Sequence, residues 1–173
     1  MIVRDIELTK WARDNVSPFD STMINPASID LKLDGRMKVA WWYWYNPITR
    51  AFAFKHNLPK WSDTIPFTKY VLRPGQFVLC SSVEITRIPL NCSAILFSKS
   101  STGRKGIEHL HAGYGDPGFY GTWTWELQNV APWPIELVAG MPLMQIALHR
   151  LEKGVIKGYS GRYQRQDGPT EAR

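Results

Sequence analysis

Short segments in which apolar and polar residues alternate fill most of this sequence, and turn signals separate them. In Ile29-Asp30-Leu31-Lys32-Leu33, apolar residues alternate with charged ones before the turn signal Asp34-Gly35. Further candidates for strands are residues 76–84, 94–97, 122–128, 135–138 and 143–148. Strand candidates separated by turn signals at intervals of about 8 to 12 residues predict an all-β sandwich or barrel.

Two segments depart from this pattern, one near the N-terminus and one rich in aromatic residues. Residues 5–13 carry apolar side chains at roughly helical spacing and predict a short helix. Residues 38–56 contain the run WWYWY, which Asn46-Pro47 separates from the run AFAF. Because aromatic residues are frequent in strands, this second segment predicts an aromatic hairpin.

The length and the apolar content of the chain are those of a single domain. With 173 residues, of which 44% are hydrophobic, the chain can build one well-filled core. We expect one domain over residues 1–173, in which the polar residues 161–173 form a disordered tail or fold over a ligand. No run approaches the roughly 18 apolar residues of a membrane span, and no apolar segment follows a basic start. Neither export nor membrane insertion is therefore expected.

The chain carries an excess of positive charge. Its formal net charge is +6 and its isoelectric point is about 9.4, which indicates an anionic partner such as nucleic acid, a nucleotide or an acidic surface. The net charge alone does not distinguish among these partners. A positive charge that only keeps the protein surface soluble is a further explanation. The two cysteines, Cys80 and Cys92, provide neither a disulfide framework nor a four-ligand zinc site. The expected compartment is a reducing cytoplasm, the host cytoplasm if the chain is viral.

The sequence contains eight tryptophans. Tryptophans interleaved with basic residues can stack the bases of single-stranded nucleic acid. Trp123 and Trp125 share one face of a predicted strand, whereas Trp41, Trp42 and Trp44 cover both faces of theirs. Burial in the core or in an oligomer interface explains most of them, and a base-stacking platform is the alternative.

Residues 99–106 read KSSTGRKG and form a basic loop after an apolar strand candidate. Gly103 and Gly106 permit a positive φ, which suits a tight turn around an anion. Four side chains of this loop can donate hydrogen bonds to phosphate oxygens: Lys99, Ser100, Ser101 and Arg104. The order of residues is not that of a Walker loop. The segment predicts a phosphate-binding loop, with an ordinary solvated turn as the alternative.

One carboxylate, Glu126, stands between Trp125 and Leu127 in a strand that is otherwise built to be covered. Desolvation favours proton uptake by a carboxylate, so such a group can move protons during catalysis. The alternatives are exposure to solvent or a structural ion pair with an arginine. His109 and His111 share one face if their segment is extended, but the ligand pattern of zinc deaminases is absent. We therefore expect no zinc, and surface or hydrogen-bonded roles for both histidines.

Taken in order, these segments resemble the dCTP deaminase branch of the trimeric dUTPase superfamily. The matching segments are residues 25–33, 74–79, 99–104, 116–121 followed by Glu126, 140–146 and 162–170. The resemblance implies a distorted β-barrel or jelly roll of the dUTPase type with a short N-terminal helix. It also implies a homotrimer with its active sites between subunits, in which residues 161–173 are a C-terminal closing segment.

The resemblance further implies a role for individual residues in a deamination that needs no zinc. Glu126 would shuttle protons between a water, N3 of cytosine and the leaving ammonia. Ser100 and Arg104 would position the water and the carboxylate, and the Ala112 carbonyl would hold the nucleophile or the amino group. Asp116 would accept a hydrogen bond from the sugar 3′-hydroxyl. The residues implied to hold the triphosphate, which Mg²⁺ would accompany, are Lys99, Ser101, Arg162, Gln166 and, as a further contributor, Tyr159.

The main function expected from the resemblance is conversion of dCTP to dUTP and ammonia in deoxynucleotide metabolism. The order Ala112-Gly113-Tyr114 is closer to that of bifunctional members, which also release diphosphate and so form dUMP. That bifunctional reaction is the first alternative. The second alternative is a non-catalytic β domain that binds a nucleotide or single-stranded nucleic acid. With dCTP as substrate, nucleic acid and membranes are not expected as partners.

Overall fold

The computed structural model describes residues 1–40 and 61–172. Within these ranges the helices are α1 (Asp5–Asn15), a 3₁₀ turn (Ser21–Met23) and α2 (Ser100–Gly103). The strands are β1 (Val16–Ser17), β2 (Ile29–Lys32), β3 (Arg36–Val39), β4 (Ile65–Pro66), β5 (Lys69–Leu72), β6 (Phe77–Ser81), β7 (Ile85–Arg87), β8 (Cys92–Ser98), β9 (Ile107–His109), β10 (Tyr114–Gly115), β11 (Tyr120–Gly121), β12 (Thr124–Asn129), β13 (Ile135–Val138) and β14 (Pro142–Arg150). The predicted aromatic hairpin at residues 38–56 lies almost entirely outside the described residues.

The strands form two larger sheets and two smaller ones. The larger sheets have the orders β10-β8-β14-β2 and β4-β3-β6-β12-β9, and the smaller ones β1-β7-β11 and β13-β5. All of the pairings between these strands are antiparallel. Most strands that are neighbours in a sheet are distant in sequence. For example, β14 pairs on one side with β8 and on the other with β2. The prediction of an all-β fold with a short N-terminal helix is confirmed.

The core follows from the alternation that the sequence carries. In β2, Ile29 and Leu31 are buried, and in β12, Trp125 and Leu127 are buried, while their neighbours in sequence point to the opposite face. Helix α1 packs on this core through Leu8 and Ala12. Full burial of each large apolar side chain stabilises the fold by about 1.5–3 kcal/mol.

Two predicted strands are shorter in the structure, and each has a local reason. The segment predicted as 76–84 forms a strand only as far as Ser81; the chain then bends at residues 83–84, where the Ser82 hydroxyl donates a hydrogen bond to the Glu84 carbonyl (2.7 Å). The segment predicted as 122–128 joins the β12 ladder only at Thr124, because the Thr122 amide donates to the Gln166 carbonyl (3.0 Å).

Trp123 and Trp125 are both buried, so the core interpretation is confirmed for these two residues. Trp41, Trp42 and Trp44 lie outside the described residues. Cys80 and Cys92 are free and buried, and burial raises the pKa of both thiols. Among the described residues, no helix has the length and apolar character that crossing a bilayer requires.

Candidate active site

A cavity of about 460 Å³ lies between strands β6 and β12 and the C-terminal residues. Its apolar wall includes Phe77, Leu79, Phe119 and Trp123. Its polar groups among the described residues include Asp116, Thr124, Glu126, Gln166 and Glu171. An apolar cleft with a few converging polar groups is the usual form of a site for a small molecule.

Glu126 reaches this cavity because of the alternation in β12. Trp125 and Leu127 point into the core, so the carboxylate between them points to the opposite face. The Glu126 side chain is 24% exposed, and its Oε2 is buried without a hydrogen bond from any described residue. The carboxylate therefore borders the cavity, whereas its Oε2 is enclosed by the protein.

His109 is the side chain beside Glu126 that the sequence interpretation missed. Its Nε2 lies 3.3 Å from Glu126 Oε2, without the angles of a hydrogen bond. The prediction of a surface or hydrogen-bonded role is wrong for His109, because the side chain is 1% exposed and neither ring nitrogen has a hydrogen-bond partner among the described residues. The alternation of Ile107 and His109 on β9, which pairs with β12, is the signal that indicates this burial.

The two histidines differ in their surroundings. Strand β9 ends at His109, and His111 adopts a φ of 57° that turns the chain away from the extended conformation. The His111 side chain is exposed, and its Nε2 lies 3.2 Å from Glu108 Oε1. The two rings still lie near each other, with centroids 6.4 Å apart and planes at 72°, but the His109 ring is buried and the His111 ring faces solvent.

The segment Ala112-Gly113-Tyr114-Gly115 borders the cavity and packs closely against the sheet. A Cβ on Gly113 would lie 2.5 Å from Leu96 Cβ, and a Cβ on Gly115 would lie 2.3 Å from Trp123 Cη2. Both distances are shorter than a van der Waals contact between two carbon atoms, so neither position has room for a Cβ unless its neighbour moves. The glycines thus allow this segment, with Ala112 and Tyr114 at the cavity, to lie directly on strand β8 and Trp123.

The C-terminal residues are ordered along β11 and β12 by polar contacts. The Arg165 amide donates to the Tyr120 carbonyl (2.7 Å), and the Gly168 amide donates to the Thr122 hydroxyl (3.0 Å). The Thr170 amide donates to the Thr124 hydroxyl (3.1 Å). Of the two conformations that the polar composition allowed for residues 161–173, the described part adopts the folded one.

Two ion pairs attach the same C-terminal segment to β3. Arg36 contacts Asp34 (2.6 Å) and Asp167 (2.7 Å), and Lys38 contacts Glu171 (2.6 Å). The hydrogen bond from Arg36 holds the pKa of Asp167 below its ordinary value. The segment is therefore held by β3 on one side of the cavity and by β12 on the other.

The basic loop lies away from this cavity. None of its predicted ligands, nor Arg162, is among the described residues that line the cavity. The loop contains the one-turn helix α2, which the Thr102 hydroxyl anchors by donating to the Leu143 carbonyl (2.8 Å). Ser100, Ser101 and Arg104 are exposed there.

The predicted site residues thus fall into two groups within one chain. The residues that line the cavity are Glu126, Ala112, Asp116, Tyr159 and Gln166. The residues that do not line it are Lys99, Ser100, Ser101, Arg104 and Arg162. Gln166, which is predicted to hold the triphosphate, donates a hydrogen bond from its side-chain Nε2 to the Thr122 carbonyl (2.6 Å).

The chain is similar in sequence to one protein family and to named relatives in bacteria. A family model described as dCTP deaminase-like matches residues 2–151. The chain belongs to the dCTP deaminase-like family. A relative in Leifsonia xyli subsp. xyli is 39% identical over 98% of this chain and 88% of its own length, and one in Acidothermus cellulolyticus is 39% identical over 93% of this chain and 87% of its own length. Both relatives are named "dCTP deaminase, dUMP-forming".

A solved structure supports the fold of this dCTP deaminase-like chain. The 2′-deoxycytidine 5′-triphosphate deaminase from Agrobacterium tumefaciens superposes with a TM-score of 0.66 at 24% identity. The match covers 87% of this chain and 49% of that one. This match confirms the predicted fold, while the family model and the curated relatives confirm the predicted family and the prediction that the chain is an enzyme.

The predicted product needs a correction. The main expectation was dUTP, but the names of the dCTP deaminase relatives give dUMP as the product. The expectation that the reaction ends at dUTP is therefore wrong, and the alternative is the one that agrees with these relatives. The segment Ala112-Gly113-Tyr114 already favoured that alternative.

Proposed function

We propose that this chain is a bifunctional enzyme that hydrolyses dCTP to dUMP, ammonia and diphosphate. The relatives support the substrate and the product. The observation that carries the chemistry is the Glu126 carboxylate, which lines the cavity with its side chain 24% exposed and has the buried His109 ring beside its Oε2. The free thiols Cys80 and Cys92 support a cytoplasmic location.

In the deamination step, Glu126 takes a proton from a water whose oxygen attacks C4 of cytosine. The carboxylic acid gives that proton to N3, and a second proton passes through Glu126 to the amino group, which leaves as ammonia. The Ala112 carbonyl holds the water or the amino group, and Asp116 accepts a hydrogen bond from the 3′-hydroxyl. A second water then breaks the bond between the α- and β-phosphates, so that dUMP and diphosphate are released.

The charge at the cavity supports a site that is shared between subunits. Among the described residues, Asp116, Glu126 and Glu171 line it and no lysine or arginine does. A triphosphate is strongly anionic and needs cationic donors. We infer that a neighbouring copy in a homotrimer supplies the basic loop, with Ser100 and Arg104 at the water and carboxylate and Lys99 and Ser101 at the phosphates.

The remaining predicted ligands belong to the C-terminal segment. We propose that residues 161–173 close the site within one domain, with Tyr159, Arg162 and Gln166 near the phosphates. Among the described residues, no group of three or more His, Cys, Asp or Glu side chains is arranged as a metal site. We therefore assign Mg²⁺ to the phosphates of the nucleotide, where it would balance charge, rather than to a protein cage.

The reaction can be tested on purified protein with dCTP and Mg²⁺, following ammonia, dUTP, dUMP and diphosphate. We expect ammonia, dUMP and diphosphate in equal amounts. Glu126→Gln should abolish ammonia release and still bind dCTP, whereas Glu136→Gln, at an exposed carboxylate on β13, should stay active. A wild-type protein that binds single-stranded DNA and releases no ammonia would contradict the proposal.

The shared site can be tested by mixing two inactive variants. Glu126→Gln and Arg104→Ala are each expected to be inactive alone. If one subunit supplies Glu126 and another supplies Arg104, mixed trimers contain some sites with both native residues. Co-refolded mixtures should then regain activity, and mixtures that stay inactive although mass spectrometry shows mixed trimers would exclude the shared site.

A further inference from the structure

The segment 25–33 belongs to the sequence motif of the family, yet no residue of it has a role in the proposed reaction. In the structure, Asp30 of this segment forms an ion pair with Lys99 at the start of the basic loop. Both side chains are partly buried, Asp30 at 13% and Lys99 at 23% exposure. Salt screens a partly buried ion pair less than an exposed one, so this pair persists at physiological ionic strength better than a surface pair does.

Asp30 is itself held in place. Its position on β2 is fixed by the buried residues Ile29 and Leu31 on either side. The Asn25 amide nitrogen donates to Asp30 Oδ1 (2.8 Å), so Oδ2 is the oxygen that faces Lys99. The carboxylate therefore presents one oxygen to each partner, and its orientation follows from the turn that contains Asn25.

The backbone of the loop is anchored independently of this ion pair. The Lys99 amide donates to the Leu143 carbonyl (3.0 Å), which also accepts from the Thr102 hydroxyl (2.8 Å). The main chain at Lys99 is thus fixed by β14, and what Asp30 determines is the direction of the long lysine side chain.

We propose that Asp30, oriented by Asn25, is a positioning residue that holds the Lys99 ammonium ready for the phosphates of the nucleotide. An ammonium has three N–H donors, and Asp30 needs only one of them, so two remain for phosphate oxygens. Holding a flexible lysine before the substrate arrives lowers the entropy lost on binding. This inference rests on the proposed function, in which Lys99 contacts the triphosphate.

A double-mutant cycle tests the proposal through kinetics. Asp30→Asn keeps the size of the side chain but leaves no second acceptor for Lys99. We expect the KM for dCTP to rise about two- to tenfold, because the released lysine side chain must then lose its rotamer freedom on binding, with kcat changed less than twofold. In a Lys99→Ala background the same substitution should change KM less than twofold, because the two residues act as one unit.

The matched control is Asp20→Asn. Asp20 pairs with Lys32, which like Asp30 lies on β2, at 2.8 Å; its other side-chain hydrogen bonds with described residues are with Thr22 and not with the basic loop. This variant should leave KM and kcat unchanged. Equal increases in KM for Asp30→Asn with and without Lys99, or an equal increase for Asp20→Asn, would overturn the positioning role.

A second measurement does not depend on the activity. Acetic anhydride labelling followed by mass spectrometry should modify Lys99 more slowly than Lys105, and Asp30→Asn should speed modification at Lys99 alone. Unchanged labelling of Lys99 would refute the ion pair itself. If labelling changes as expected but wild-type protein releases no ammonia from dCTP, the proposed function fails while the ion pair stands.

Discussion

Glu84 is a fully buried carboxylic acid that the proposed reaction does not use. Its Oε2 accepts a hydrogen bond from the Lys32 amide (2.9 Å), whereas Oε1 is buried without a partner among the described residues. The charged groups that act on it are the Lys32 ammonium, which favours ionisation, and Asp20, which opposes it. Burial outweighs both hydrogen bonding and Lys32, and it raises the pKa of Glu84 from 4.5 to about 7.

This pKa makes the stability of the fold depend on pH in a defined direction. Between about pH 4.5 and 7, the folded chain keeps a proton on Glu84 that the unfolded chain has lost. The stabilisation by the neutral acid is therefore complete below pH 4.5 and is lost as the pH rises through 7. At about 1.36 kcal/mol for each pKa unit, the change in the free energy of unfolding is about 3 kcal/mol.

Glu84→Gln should remove this dependence, because glutamine stays neutral and can still accept from the Lys32 amide. Relative to wild type, the variant should gain about 3 kcal/mol in the free energy of unfolding between pH 4.5 and 8. Urea unfolding followed by tryptophan fluorescence at several pH values and one protein concentration measures this difference. Glu136→Gln, at an exposed carboxylate, is the control. If wild type and Glu84→Gln differ by the same amount at every pH, Glu84 is not the group responsible.

Three further predictions concern the core and the C-terminal segment. Asn129→Ala removes hydrogen bonds of 2.8–2.9 Å to backbone groups at a buried position. It should lower the free energy of unfolding, measured in urea, by about 2–4 kcal/mol, and a loss below about 1 kcal/mol would contradict a stabilising role for these bonds. Gly115→Ala places a Cβ 2.3 Å from Trp123 Cη2. The free energy of unfolding, measured by thermal unfolding, should fall by about 1–3 kcal/mol, and unchanged stability would mean that Trp123 can move aside. Asp167→Asn should weaken the contact with Arg36 by less than about 1 kcal/mol, because Asp167 is 72% exposed. Wild type should lose the same contact as the pH falls through the lowered pKa of Asp167, and amide exchange of the C-terminal residues that is insensitive to both changes would contradict the role of Arg36.

Strand β12, which carries Glu126, shows how much the local sequence pattern predicts. Alternation around Glu126 places Trp125 and Leu127 on the core face and the carboxylate on the other, and the structure has this arrangement. The same reasoning did not find His109 beside Glu126, because their proximity arises from the pairing of β9 with β12 rather than from either strand alone. The burial of Glu84 is not predicted by the sequence for a similar reason, since it depends on how the chain bends after the strand ends at Ser81.

The sequence by itself determined the all-β class, the N-terminal helix, the family and the identity of the loop residues, because periodicity, turn residues and ordered motifs are local properties of the chain. Only the tertiary structure decided which of these residues meet. It brings Glu126 and Asp116 to one cavity, leaves Arg104 outside it, and joins Lys99 to Asp30, which is 69 positions away in sequence. Contacts of this kind depend on strand order, and strand order is decided by the competition of all strands for the same core.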